Sequence, residues 1–148
     1  MSDAVRVELE HHFDVGLGEG FDYITDLRNW PEYWPDLIRI EPESRWAQPG
    51  DRARLALRLL GRETEMTMTL RRIEPRRLVE YTSLQRGLPE ARHERRFADD
   101  GRGGLDYGLV VEYVPRRGIR ALFDRLLVRL AIRRALRKTV SNLGSRLS

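Results

Sequence analysis

In the stretch Ala91-Arg-His-Glu-Arg-Arg-Phe97, Phe97 is the residue best suited to burial, and a strand period of two places Arg95, His93 and Ala91 on its face. A histidine and an arginine turned inward cost several kcal/mol unless they are paired or face water. An inward His93–Arg95 pair therefore implies either a polar group on a bound ligand or internal acidic partners. The alternative is a twisted or bulged edge strand on which Arg92, Glu94 and Arg96 alternate with the pair.

His93 is one of three histidines, with His11 and His12, and the chain has no cysteine. His11 shares the apolar face of its run with Phe13 and reads as a hydrogen-bonded core residue, while His12 falls on the other face. Metal binding needs three or four convergent ligands; none is expected from this set, and no cofactor either. Gly16-Leu-Gly-Glu-Gly-Phe21 follows a strand, but Phe21 stands where a dinucleotide loop needs its third glycine, so the glycines serve a tight strand-to-helix turn. Neither a G-x-S-x-G elbow nor a phosphate-binding loop occurs.

The elements that must position His93 and Arg95 are legible as alternating runs over 5–13, 37–40, 53–59, 64–70, 78–85, 91–97 and 105–113. Turn chemistry separates them: Pro49-Gly50, Gly61, Glu74-Pro75-Arg76 and the segment from Asp99 to Gly104. Pro42 pushes the second run toward an edge or bulge. The fifth leaves its inward face open, because Val79 and Tyr81 compete with Leu78 and Leu84. Parity puts Leu55, Leu57, Met66, Met68, Tyr107 and Leu109 on the face shared with His93 and Arg95, and flexible thioethers suit a wall that accepts varied apolar shapes.

Between the first two runs, Phe21, Ile24 and Leu27 recur on one helical face, and Pro31 and Pro35 end one helix and start another of about one turn. Trp30, Tyr33 and Trp34 in this segment either line the mouth of a cavity or plug the core where the short helices meet the sheet. A helix is expected over roughly 117–146. Its stripe of Ile119, Leu122, Phe123, Leu126, Leu127 and Leu130 rotates into a second, Leu136, Val140, Leu143 and Leu147. Ile119, Phe123, Leu126 and Leu130 are expected against the concave face of the sheet.

With 148 residues the chain fits one domain, 1–148. No signal-peptide run or membrane-length apolar stretch is present, which leads to the expectation of a cytoplasmic protein. The net charge of +4 is almost wholly arginine, since Lys138 is the one lysine, and it is interleaved with Asp and Glu as far as Asp124. That distribution points to a salt-bridged surface, so no specific nucleic-acid partner is expected. The segment 116–138 is the exception: a basic face beside a broad apolar one suits either a closing helix with snorkelling arginines or contact with a membrane surface or RNA.

One strand, two short helices in Phe21–Ile38, six more strands and a long Arg-rich helix form an order that resembles the START-like superfamily, which includes polyketide cyclases and lipid-transfer domains. The block from Gly87 to Phe97 resembles its polyketide-cyclase-like bacterial members. The resemblance implies an α+β fold: a seven-stranded bent antiparallel sheet gripping a long C-terminal helix, with two short helices after the first strand. It also implies an internal cavity for a small hydrophobic molecule of polyketide, lipid or isoprenoid type. That cavity would be walled by Leu55, Leu57, Met66, Met68, His93, Arg95, Tyr107 and Leu109, with Trp30 and Trp34 near its mouth. Such a protein is a carrier or an aromatase/cyclase. In an enzyme, His93 would be the general acid/base, Arg95 would stabilise an enolate, and Tyr107 or Tyr81 would relay a proton. The third alternative is a membrane- or RNA-associated module acting through the basic C-terminal helix.

Overall fold

A computed structural model describes residues 4–34, 36–41, 46–59, 61–85, 89–114 and 129–147. Seven strands, β1 (Val5–Phe13), β2 (Leu37–Glu41), β3 (Arg52–Leu59), β4 (Arg62–Glu74), β5 (Leu78–Gln85), β6 (Ala91–Asp99) and β7 (Leu105–Tyr113), form one antiparallel sheet in the order β1-β7-β6-β5-β4-β3-β2. Five consecutive antiparallel pairings build it from β2 to β7, and β1 then closes on β7. This is the seven-stranded antiparallel sheet of the α+β fold that the resemblance implies. β2 is an edge strand and carries a register shift between Leu37 and Arg39.

Left-handed backbone falls where the turns need it: Gly61 between β3 and β4 has φ +77° and Gly101 between β6 and β7 has φ +81°. Alternation decides the inward face of β5. Val79, Tyr81, Ser83 and Gln85 are buried, whereas Leu84 is 58% exposed. The register aligns Tyr81 with His93 and Val79 with Arg95, so β5 and β6 present these four side chains to the same side.

Three helices lie among the described residues: α1 (Leu17–Thr25), α2 (Trp30–Tyr33) and α3 (Arg129–Leu147). A short 3-10 turn, Leu27–Asn29, joins α1 to α2; the Asp26 carboxylate caps it through the Arg28 amide at 3.1 Å and holds the Arg28 guanidinium at 3.0 and 2.6 Å. α1 begins at Leu17, before Phe21, because its first turn must sit on the sheet. A Cβ on Gly20 would come within 2.5 Å of Leu105, so glycine is what lets helix and strand approach. Phe21, Ile24 and Leu27 are all buried, as their spacing requires.

α3 packs against β1 and α2, with Val140 and Leu143 buried and Asn142 donating a 3.1 Å hydrogen bond to the Tyr33 carbonyl. Ile119, Phe123 and Leu126 lie outside the described residues. Leu130 is a correction: it is 63% exposed, not buried on the concave face. By Leu130 the helix has already turned its second stripe to the core, so a residue of the first stripe points to solvent.

The outward face of β1, β7 and β6 carries the salt-bridged surface that the interleaved charge implies. Arg6 bonds Glu112 (2.5 Å) and Glu8 (2.8 Å), Arg92 bonds Glu112 (3.0 Å) and Glu94, and Arg96 bonds Glu94 (2.7 Å) and approaches Glu8 (3.9 Å). Three arginines and three glutamates thus close a ring of alternating charge. At its centre is Val110, aligned with Glu8 on one side and Glu94 on the other and only 3% exposed. This ring gives Arg92, Glu94 and Arg96 their outward role and leaves His93 and Arg95 inward on a central strand.

Candidate ligand-binding site

Arg95 occupies the middle of the concave face, 4% exposed, aligned with Val79 on β5 and Leu109 on β7. Its Nη1 donates to Tyr33 Oη at 2.7 Å and its Nε to Tyr81 Oη at 3.2 Å. The guanidinium lies over the Trp30 ring at 4.3 Å from the centroid, with Tyr81 and Tyr33 at 5.6 and 5.8 Å. These rings are themselves fixed from below: Trp30 Nε1 and Tyr33 Oη both donate 2.8 Å hydrogen bonds to the carbonyl of Ile24, at the buried face of α1. Among the described residues no carboxylate reaches Arg95. A guanidinium keeps its proton in proteins, so a full positive charge is buried with hydroxyls and aromatic faces for company.

His93 stacks on Tyr81, centroids 4.6 Å apart and planes 7° from parallel, and its Nε2 is 2.8 Å from Ser83 Oγ. Burial first and the Arg95 charge second push its pKa down, to about 3, so the ring is neutral near pH 7. Tyr33 and Tyr107 are held neutral as well: burial raises both hydroxyls well above the ordinary tyrosine value, against the opposing pull of Arg95.

Among the described residues, Tyr107 Oη and Trp46 Nε1 are buried without a well-formed hydrogen bond, although the Arg95 charge acts on the Tyr107 hydroxyl. Tyr107 is aligned with Phe97, one step along from Arg95 on the same face, and Trp46 packs at 5.1 Å on Trp30 and 5.0 Å on Tyr81, two of the rings around Arg95. Unpaired buried donors cost free energy, and a ligand oxygen is one way to recover it.

The sequence-derived wall residues are turned to this side, all of them buried except the half-buried His93. Leu55 and Met66 are cross-strand partners on β3 and β4, Met68 faces Ala53, Leu57 faces Leu37, and Leu109 stands beside Arg95. Trp30 forms the floor beneath the guanidinium, fully buried, and half-buried Trp34 packs beside it at 5.8 Å. Trp30 and Tyr33 are therefore core residues, the plug of the two alternatives. Trp46 escaped the sequence reading because it stands in a connection, where no periodicity assigns it a side. His11 is a correction: it is exposed, 4.8 Å from Phe13, because the end of edge strand β1 lacks the cover that a core histidine needs.

A hollow of about 540 Å³ lies on the opposite, outward face, where Glu8, Glu10, His12, Arg96, Asp106 and Gly108 line it. It is charged and separated from Arg95 by the sheet, so it belongs to the ion-paired exterior. At its end His12 Nε2 meets Asp100 Oδ2 at 2.6 Å, while Asp100 Oδ1 accepts the Arg102 and Gly104 amides at 2.6 and 2.8 Å. Among the described residues no three His, Cys, Asp or Glu side chains converge as metal ligands.

Over residues 4–148 the sequence matches the family described as polyketide cyclase/dehydrase and lipid transport. The chain belongs to that family. Its fold is similar to the Zhui aromatase/cyclase from Streptomyces sp. R1128, at 13% identity and TM-score 0.84 over 97% of this chain and 93% of that one. It is also similar to the di-domain aromatase/cyclase StfQ of the steffimycin biosynthetic pathway, at 15% identity and TM-score 0.80, covering 97% of this chain and 50% of StfQ. A START superfamily protein from Mycobacterium smegmatis superposes with TM-score 0.77 at 11% identity, covering 96% of each chain. At these identities the likeness is one of fold. No curated protein matches the sequence.

Proposed function

We propose that the chain binds a small, predominantly apolar molecule on its concave face and fixes an anionic or enolic oxygen of that molecule on Arg95. The observation that supports this is the buried guanidinium with hydroxyl and aromatic neighbours and no carboxylate among the described residues. An anion on Arg95 would supply the missing counter-charge, with Tyr107 Oη as an adjacent donor and Leu109, Met68 and Leu55 as apolar wall. Membership of a family described by both polyketide cyclisation and lipid transport agrees with an apolar ligand.

The test compares 2-naphthoate, 2-naphthol and naphthalene by tryptophan fluorescence, since Trp30 lies directly under Arg95. The expected order of affinity is naphthoate, naphthol, naphthalene, and Arg95→Met should erase the preference. Equal affinity for naphthoate and naphthalene in the unaltered chain would overturn the reading.

The same centre supports aromatase/cyclase activity as a second reading. Arg95 would hold the enolate oxygen and Tyr107 Oη would be the proton donor beside it. His93 suits an orienting role: with its pKa pushed to about 3 and its Nε2 engaged by Ser83, it is a weak base near neutral pH and already unprotonated as an acid. Conversion of a synthetic poly-β-ketone thioester to an aromatic product, lost in Arg95→Met and retained in His93→Gln, is the outcome that favours this second reading over simple carriage.

A further inference from the structure

Seven arginines on or beside the sheet are in a different electrostatic state from the cations of the C-terminal helix, although Arg52, Arg58, Arg62 and Arg71 of β3 and β4 make no ion pair among the described residues. On the sheet, Arg6, Arg39, Arg54, Arg72, Arg77, Arg92 and Arg96 each lie within ion-pair distance of a glutamate. On α3, Arg133, Arg134, Arg137 and Lys138 are exposed and, among the described residues, none pairs with an acidic side chain. The sequence explains the contrast: residues 125–148 hold seven of the 27 basic side chains and none of the 23 acidic ones, so the first 124 residues carry 20 basic against 23 acidic. The whole positive excess of the chain therefore resides in its last 24 residues.

Helical geometry gathers these charges. At 100° per residue Leu130, Arg133, Arg134, Arg137, Lys138 and Ser141 fall on one outward stripe, which lies opposite the buried Thr139 and Leu143 and borders the buried Val140 at its Arg133 edge. Leu130, 63% exposed, is among the most exposed large apolar side chains described, and it sits one turn before Arg133 and Arg134.

We infer that this stripe of α3 is a docking surface for an anionic lipid bilayer. Four unpaired cations on a single helix face match a surface of phosphate headgroups, and an exposed leucine among them has an apolar layer to enter just beneath those headgroups. A nucleic acid would use the cations but leave Leu130 unburied. The surface lies along the bilayer, since no helix among the described residues is long and apolar enough to cross one. The inner side of the same helix reaches the candidate site: Asn142 holds the carbonyl of Tyr33, whose hydroxyl holds Arg95. Docking thus places the Tyr33 and Arg95 end of the molecule behind the membrane-facing helix, whatever the site binds.

The experiment is co-sedimentation of the full chain with vesicles of phosphatidylcholine alone and of phosphatidylcholine with 30% phosphatidylglycerol, at low and high NaCl. Binding is expected to the anionic vesicles only and to weaken with salt. Replacing Arg133, Arg134, Arg137 and Lys138 together by Gln should weaken it several-hundredfold, at about fivefold for each cation near an anionic surface. Replacing the four paired arginines Arg39, Arg54, Arg72 and Arg77 by Gln removes the same charge and should change it far less. Leu130→Ser should weaken binding several-fold while leaving its salt dependence intact; as an exposed position it does not threaten the fold, which circular dichroism checks for every variant. Equal loss in the two quadruple variants, indifference to Leu130→Ser, or binding to a 30-nucleotide poly(U) RNA that outcompetes the vesicles would each overturn the inference.

Discussion

Replacing Arg95 by methionine separates a binding role from a structural one, because it removes a buried charge while keeping an unbranched side chain of similar length. The losses are contacts to a cation. The stacking over Trp30 at 4.3 Å contributes about 2 kcal/mol when desolvated. The hydrogen bonds to Tyr33 and Tyr81 contribute about 1.5–3 kcal/mol each as bonds to a charged group. Against this, the buried ion carries a desolvation penalty of several kcal/mol, and a buried methionine gains about 1.5–3 kcal/mol by transfer from water. Tyr33 keeps a partner for its hydroxyl proton in the Ile24 carbonyl, so no orphan donor is created there. The two sides nearly cancel, and Arg95→Met should shift the free energy of unfolding by no more than about 2 kcal/mol in either direction. Arg95→Lys should be the less stable of the pair, since a compact ammonium keeps the desolvation cost and loses the planar stacking. Urea denaturation with an unchanged slope is the assay. A loss above about 4 kcal/mol in Arg95→Met would show that the guanidinium pins the fold, and the reasoning that assigns it to a ligand would fail.

Leu143→Ala, at a fully buried position of α3, should cost about 2–5 kcal/mol; an unchanged denaturation midpoint would mean that α3 is not held to β1 and α2 as described. Gly104→Ala should destabilise the β6–β7 turn and break the His12–Asp100 pair, because a Cβ there would meet Asp100 Oδ2 at 2.3 Å and His12 Nε2 at 2.6 Å; a histidine NMR titration of His12 unchanged by the substitution would refute this. In the unaltered chain His12 has its pKa raised by Asp100, and Asp100 is lowered to about 2 by His12 and two amides. The His12 contribution is therefore present below its ordinary value of about 6.5 and lost as pH rises through the higher folded value, while the Asp100 contribution is lost as pH falls from about 3.9 towards about 2. His93 runs the other way from His12: its proton binds more readily to the unfolded chain, so stability should fall as pH drops from about 6.5 towards its folded value. Its ring resonances should stay those of neutral imidazole at pH 5, and protonation near pH 6.5 would contradict the burial that the structure assigns.

What the sequence determined by itself is the set of strands and, for every strand but the fifth, the side turned inward. Alternation needs no partner to be read: Met66, Met68, Arg95, Tyr107 and Leu109 were assigned to one face by parity, and a two-residue period leaves only one other choice. Glycine and proline at Pro49, Gly50, Gly61 and Gly101 marked turns for a reason local to the backbone. Tertiary structure decided everything that depends on neighbours. Val79 and Tyr81 won over Leu78 and Leu84 because β6 aligned Arg95 and His93 beside them. Leu130 was lost to solvent because a rotating stripe cannot reveal where the helix meets its cover. Trp46, in a connection without periodicity, joined the site only through its packing on Trp30 and Tyr81. The ring around Val110 unites residues of three strands, Arg6 and Glu8 with Arg92, Glu94, Arg96 and Glu112. A charge that merely faces solvent on one strand becomes an ion pair only when sheet register brings its opposite within reach.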